Sequence, residues 1–326
     1  MECRACSTER LCRCRLVEEG DPRLKVEPFL SAPFIHQNNQ PKYNAALLRA
    51  EEHAKHHPSG PQRILWFTAQ DTPNADEFRN MSKPQMQAKR RRWLQKHDQE
   101  TAGLTGLLPL YKGLRVRATE KTSKQLSILK HHSGTVVGWQ LHTSDAIVSN
   151  AAERVLQYAP PVIYVKWYEK TWTLGDGWEP GVFPMKPVHR TWVVNRSTGA
   201  TVSRKGFQLF PDFAHTDHIV QGMTLEAAIV DAGDVHAIPS LKDMLACYVA
   251  LSRVKRAGGL LLLRAFSPFL FTQGAPPGPS ILMRLLRKEI SPKTAVCEYE
   301  AQMEARKAQQ KRPLAINCQV AVLSVL

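Results

Sequence analysis

Read for the spacing of its apolar positions, the chain changes period twice. Ala46, Leu47, Ala50 and Ala54 recur at helical steps within Tyr43-Asn-Ala-Ala-Leu-Leu-Arg-Ala-Glu-Glu-His-Ala54, and His57-Pro58-Ser59-Gly60 breaks the pattern. Arg63-Ile-Leu-Trp-Phe-Thr-Ala69 then predicts a short buried strand. From Leu104 to Phe210 the helical period fades into short β-type runs. Leu108 to Ala118 alternates, Gly134 to Leu141 is bounded by glycine, and Val162 to Trp167 and Thr191 to Val194 are β-branched and aromatic. Gly175-Asp-Gly177, Glu179-Pro-Gly181 and Arg196-Ser-Thr-Gly199 supply the turns between them, and a small β-barrel is the expected assembly.

After Phe207 the alternation of strands and helices returns. Phe207 to Phe210 reads as a strand leading to a short helix at Thr216, whose hydroxyl is expected to cap it, while Gly222 ends it through a positive φ. The amides at such a helix start suit a phosphate. Leu225 to Asp231 is the next strand. Ser240-Leu-Lys-Asp243 has the form of a cap, and Leu241, Met244, Leu245, Tyr248, Val249 and Ser252 form the stripe expected to be buried on the helix that follows. Arg253 lies about 100° off that stripe, at the edge between core and surface. The apolar Gly258 to Arg264 completes a doubly wound parallel sheet.

Charge changes the picture more than composition does. Lys and Arg number 44 against 29 acids, a formal charge of +15, which favours an anionic partner such as nucleic acid. No run reaches the ~18 apolar residues of a membrane span, and the N-terminus lacks a signal-peptide core, so an intracellular protein without membrane contact is expected, with nucleus or mitochondrion ahead of cytoplasm. The seven cysteines read as thiols. Cys3, Cys6, Cys12 and Cys14 crowd into a spacing that fits tetrahedral zinc awkwardly, which favours a reduced, disordered terminus over a metal site.

Two clusters are candidates for holding nucleic acid. Lys89-Arg-Arg-Arg-Trp93 sets Arg91 among phosphate-binding cations beside an indole that could stack a base, against the plainer reading of a solvated helix with Trp93 packed inward. Five of the seven tryptophans fall in the β-rich middle; alternation favours the core for Trp139 and Trp167, whereas Trp172 and Trp178, beside glycines in a loop, are candidates for exposed stacking.

The segment from Thr216 to Arg253 brings a resemblance into view. Thr216, His218 and Gln221-Gly222-Met-Thr-Leu225 resemble the fifth motif of superfamily 1 DNA helicases of the Pif and RecD branch, Thr-x-His-Lys-x-Gln-Gly-x-Thr-Leu. Tyr248-Val-Ala-Leu-Ser-Arg253 is similar residue for residue to the sixth. Ile219 stands where the family has Lys. Leu108, Leu110, Gly113 and Val116 with Ser133-Gly-Thr-Val136 resemble the start of the family's inserted barrel, although His131-His132 stand near its usual Asn-Gly. Ala32-Pro-Phe-Ile-His36 and Ala69-Gln-Asp71 faintly resemble the earlier part of the same domain. The resemblance covers roughly residues 27 to 270, most strongly the last third.

It implies an α/β fold with a RecA-like parallel sheet and an inserted small β-barrel. The implied divisions are 1–26 as a disordered Cys/Arg-rich terminus, 27–107 as the first part of the RecA-like domain and 108–205 as the barrel. Residues 206–272 complete that domain, and 273–326 form a linker and helical tail, with a charged helix at 298–312. Arg253 would reach the ATP γ-phosphate and stabilise transition-state charge. Gln221 and Gly222 would couple strand to nucleotide, and Thr216 and His218 would touch the strand. The bland alternatives are a surface ion-pairing Arg, a cap and a packed His.

ATP hydrolysis of this kind also needs a phosphate-cradling loop, and no Gly-x4-Gly-Lys-Ser/Thr occurs in the chain. The expectation is therefore a C-terminal helicase segment that shares ATP and Mg²⁺ with a missing N-terminal RecA-like ATPase domain and acts on single-stranded DNA or a forked duplex, in DNA repair or recombination. The alternative is an ATPase-inactive single-strand-binding protein derived from a helicase.

Overall fold

The structure is a computed structural model that describes residues 15–74, 78–145, 153–233, 240–266, 270 and 275–310. The cysteine cluster at 3–14 and the apolar stretch 314–326 lie outside these residues. The chain divides into two compact units. The larger comprises Asp21–Asp231 and Val249–Leu261; the smaller holds the described parts of Met1–Gly20, Ala232–Tyr248 and Leu262–Leu326.

In the larger unit, strand β1 (Phe34–Ile35) precedes helix α1 (Asn39–Lys55), whose Ala46, Ala50 and Ala54 are wholly buried. Their small side chains let the helix lie close against the strands it covers. Strands β2 (Ile64–Thr68) and β3 (Gln70–Pro73) lead to helix α2 (Lys83–Leu94), then β4 (Leu107–Leu110), β5 (Arg115–Ala118), β6 (Ser133–Gln140) and β7 (Glu153–Val155). Strands β8 (Val162–Trp167), β9 (Val182–Met185), β10 (Val188–Asn195), β11 (Ala200–Gly206) and β12 (Leu209–Pro211) follow, and β13 (Ala214–His215) opens into the one-turn helix α3 (Asp217–Val220). After β14 (Ala228–Val230), helix α4 (Leu241–Leu251) spans the boundary between the units, and β15 (Leu260–Leu262) joins the sheet.

Four sheets result, and the fold is mixed α/β, as expected. The parallel one has the order β13-β1-β14-β15, with β1 parallel to both β13 and β14. The strand from the faintly matching Ala32–His36 segment thus sits at the centre of the sheet built by residues 206–272. Antiparallel pairing dominates elsewhere, in β12-β5-β6-β8-β9 and in β10-β11-β3, while β4-β2-β7 is mixed. The core runs through Phe67, Leu108, Leu110, Val116, Val136, Ile163, Val165, Trp167 and Leu209 on the strands and Phe207 between β11 and β12.

Several expectations need correction. The β-rich middle does not close on itself: among the described residues the five-stranded sheet keeps β12 and β9 as its two edges, and Thr191–Val194 lies in another sheet, paired through β11 to β3. The alternating run 108–118 is two strands, because Gly113 turns the chain at φ 89°. The strand after Gly222 is shorter than Leu225–Asp231. On α4 the buried residues are Asp243, Met244, Ala246, Cys247 and Ala250, while Leu245 and Tyr248 of the expected stripe are 41% and 61% exposed. The buried face is thus turned partly away from the apolar stripe, keeping Met244 but leaving Leu245 and Tyr248 outside.

In the smaller unit, helices α5 (Pro277–Leu286) and α6 (Pro292–Gln310) are joined by Arg284 to Glu298 at 2.6 Å. The charged helix expected at 298–312 begins earlier, at Pro292. No described helix is long and apolar enough to cross a membrane.

Candidate functional site

Three parallel strands end side by side, and their carboxyl ends carry polar residues: His36 after β1, Thr216 after β13 and Asp231 after β14. Ligands of open parallel sheets bind outside these ends. His36 Nδ1 accepts from the Asn38 amide at 2.8 Å, which leaves Nε2 facing the Asp231 carboxylate at 3.6 Å, both side chains 2% exposed. Sequence reasoning singled out neither residue for a role; only their place next to short apolar strands could have drawn attention to them.

Under β13 lies a buried charged cluster. The Arg117 guanidinium donates to the Ala214 carbonyl at 2.9 Å and to His215 Nδ1 at 2.7 Å, stands 4.0 Å from Asp212 and packs over the Phe210 ring. Accepting at Nδ1 requires a neutral imidazole with its proton on Nε2, which points toward Asp212 at 3.6 Å. Burial, reinforced by Arg117, pulls the His215 pKa down to about 4 despite Asp212, so the ring is neutral near pH 7. A fixed cation thus holds the carbonyl and ring of the two residues that lead into Thr216.

Thr216 is the residue before α3, but its hydroxyl makes no capping bond; Ile219 and Val220 amides bond to its carbonyl instead. The expected hydroxyl cap is therefore absent, and at four residues the helix is too short to gather a phosphate at its start. Gly222 does take φ 82°, in open space. Its effect is to turn Gln221, Gly222, Met223 and Thr224 outward as an exposed loop, with the His218 side chain 79% exposed beside it.

Arg253 lies just past the end of α4 and is half-buried. Its Nε donates to the Val249 carbonyl at 2.9 Å and Nη2 to Ser252 Oγ at 2.8 Å, while Nη1 approaches the Met223 carbonyl at 3.5 Å. The backbones are stapled as well. Leu225 donates to the Arg253 carbonyl at 2.8 Å, Lys255 to the Leu225 carbonyl at 3.0 Å, and the Lys255 side chain pairs with Glu226. A Cβ on Gly259 would run into the Glu226 carbonyl, so only glycine permits this approach. The loop 221–224 and Arg253 therefore share one edge and are not two separate surface features.

The other candidates lie elsewhere. Trp93 is 4% exposed, edge-on to Phe78 and Trp192, so the stacking role expected of it is contradicted and the packed alternative holds. Arg91 is exposed on α2. Trp172 is not an exposed platform either: its Nε1 donates to the Leu126 carbonyl at 3.0 Å and its ring packs on the core. Trp178 is 37% exposed, angled against Tyr164. Trp167 is core as expected, whereas Trp139 is half-buried against it. Among the described residues, none of these side chains shares a hydrogen bond or ion pair with the 216–225 segment, and no group of His, Cys, Asp and Glu is arranged to hold a metal.

No family model and no curated protein matches the chain. Solved structures do. The Pif1 helicase of Candida albicans is 17% identical, with 82% of this chain and 52% of that one covered at a TM-score of 0.44. The Bacteroides Pif1 bound to single-stranded DNA is 14% identical over 84% and 51%, also at 0.44. The Bacteroides enzyme with ADP-AlF3 and single-stranded DNA is 15% identical over 84% and 51%, at 0.39. The chain spans about half the length of these proteins, and what it is similar to in structure is the Pif1 helicases.

Proposed function

We propose that this chain is the strand-binding and arginine-donating half of an ATP-dependent DNA helicase, working with a RecA-like domain that supplies the phosphate loop and Mg²⁺. The observation that carries the reading is the joining of the two motifs in space. Gln221–Thr224 and Arg253 come from segments separated in sequence by a strand, yet they share one edge, held by the Leu225–Val254 bridge and the Arg253–Met223 approach. A guanidinium fixed beside a strand-facing loop can respond to both ligands: it stabilises charge on a transferring phosphoryl group when a nucleotide is presented to it, and it shifts with the loop that holds the strand. His218, Gln221 and the backbone around Gly222 are exposed to contact the strand, while buried Thr216 supports α3 through its carbonyl. ATP binds at an edge only half supplied here, since the 326 residues contain no Gly-x4-Gly-Lys-Ser/Thr.

Fluorescence anisotropy with a labelled single strand, without nucleotide, tests the strand-binding half. His218→Ala combined with Gln221→Ala is expected to weaken binding about tenfold, ~1.4 kcal/mol, and Arg253→Ala to leave it unchanged. Equal loss in both variants would make Arg253 a strand contact and refute its assignment to the nucleotide.

A further inference from the structure

Helix α2 is built unlike a solvated surface helix. From Lys83 to His97 there is no acidic residue, and six cations (Lys83, Lys89, Arg90, Arg91, Arg92, Lys96) fall in fourteen positions. Lys89 and Lys96 are engaged, over the Phe78 and Trp192 rings and, for Lys96, with Glu100. Arg90, Arg91 and Arg92 are exposed and make no ion pair among the described residues. At 100° per residue, Arg91 points about 160° away from buried Trp93, with Arg90 and Arg92 to either side and Ala88 between them.

This cationic face is held rigidly. Trp93 is locked between Phe78 and Trp192. The Trp93 carbonyl, in the last turn, receives Arg204 Nη2 at 2.8 Å. That guanidinium is itself wholly buried, bidentate to Asp71 at 2.7 and 2.8 Å, and bonded to the Leu104 carbonyl. At the other end the Gln85 side chain accepts from the Ser82 amide at 3.0 Å, and Pro84 sits in the first turn. Like charges on one helix repel at a cost of a few tenths of a kcal/mol per pair. A helix anchored in this way, with that repulsion unrelieved by any acid, is suited to a polyanion.

We propose that α2 grips the phosphate backbone of duplex DNA. The inference rests on the nucleic-acid reading above but adds a second contact surface and its partner. A duplex is favoured over a single strand because α2 offers no exposed ring: its one aromatic is buried, so it has charge without the stacking that single-strand grooves use. Guanidinium groups fanned over the exposed side of an anchored helix instead suit the dense phosphates of a duplex, with Ala88 leaving room for close approach.

The test is the salt dependence of binding by the full chain to a blunt duplex and to a single strand, for wild type, Arg90→Gln/Arg91→Gln/Arg92→Gln, and His218→Ala/Gln221→Ala. Each lost phosphate contact should lower the slope of log affinity against log salt by about one. The triple variant is therefore expected to lose about two to three in slope on duplex and little on single strand, with a melting temperature equal to or above wild type. A wild-type slope on duplex, or a loss confined to single strand, overturns the proposal. If the triple variant loses duplex binding while His218→Ala/Gln221→Ala changes nothing on single strand, the grip stands and the strand reading fails. Should a lowered melting temperature obscure the triple variant, Arg91→Glu alone, at the outermost position, must still weaken duplex binding; if it does not, the grip is wrong.

Discussion

At the scale of residues, the charges that matter most are the ones least visible in the composition. Of 44 cations, Arg117, Arg204 and Lys42 are at most 1% exposed. Removing one partner of a buried ion pair leaves the other unpaired at a cost of about 3–5 kcal/mol, while replacing both with apolar groups is far milder. Arg204→Met should therefore destabilise strongly in urea unfolding, and Arg204→Met with Asp71→Leu should regain most of the loss; equal stability of the two would contradict the geometry. Gly222→Ala meets no neighbour, so its cost is the positive φ alone, about 1–2 kcal/mol. The sequence marks Gly222 and Arg253 through their motifs, and Gly222 takes the positive φ expected of it. It does not mark Arg117 or Arg204, because burial of an arginine depends on partners about a hundred positions away, Ala214 and Leu104 among them.

At the scale of elements, what reads well is what depends on local spacing. Helix α1, strands β2, β6 and β8 and the cap of α4 follow from period and capping chemistry. Ser240 and Asp243 bond reciprocally, Ser240 amide to carboxylate at 2.8 Å and Asp243 amide to hydroxyl at 3.2 Å. Ser240→Ala should cost about 1 kcal/mol, measured as a shift in unfolding midpoint, with an unchanged midpoint counting against the cap. What reads poorly is which strands pair. Thr191–Val194 and Val162–Trp167 have the same local character, yet they join different sheets, since pairing is settled by long-range packing. The buried face of α4 departs from its apolar stripe in the same way, with Ala246, Cys247 and Ala250 covered and Leu245 and Tyr248 exposed.

At the scale of the whole molecule, the buried histidines tie stability to pH. Burial lowers both His53 and His215 to about 4, so between about pH 6.5 and 4 the unfolded chain binds protons that the folded one refuses. Their contribution is complete above pH 6.5 and is lost as pH falls through that window, at up to about 1.4 kcal/mol per histidine per pH unit. Urea midpoints should fall from pH 7 to pH 4.5, less steeply in His215→Gln; a midpoint that holds level would contradict the buried neutral rings. The proposed function is also of whole-molecule scale: it holds that Arg253 serves an ATPase site whose phosphate loop a separate RecA-like domain supplies. Its most direct test is single-strand-dependent ATP hydrolysis, measured for the chain alone and for the chain fused behind a RecA-like domain that carries a phosphate loop, each with Arg253 and with Arg253→Ala. The account predicts no hydrolysis by the chain alone and hydrolysis by the fusion that falls about 10³-fold or more in Arg253→Ala; hydrolysis by the isolated chain, an inactive fusion, or a fusion indifferent to Arg253 would contradict it.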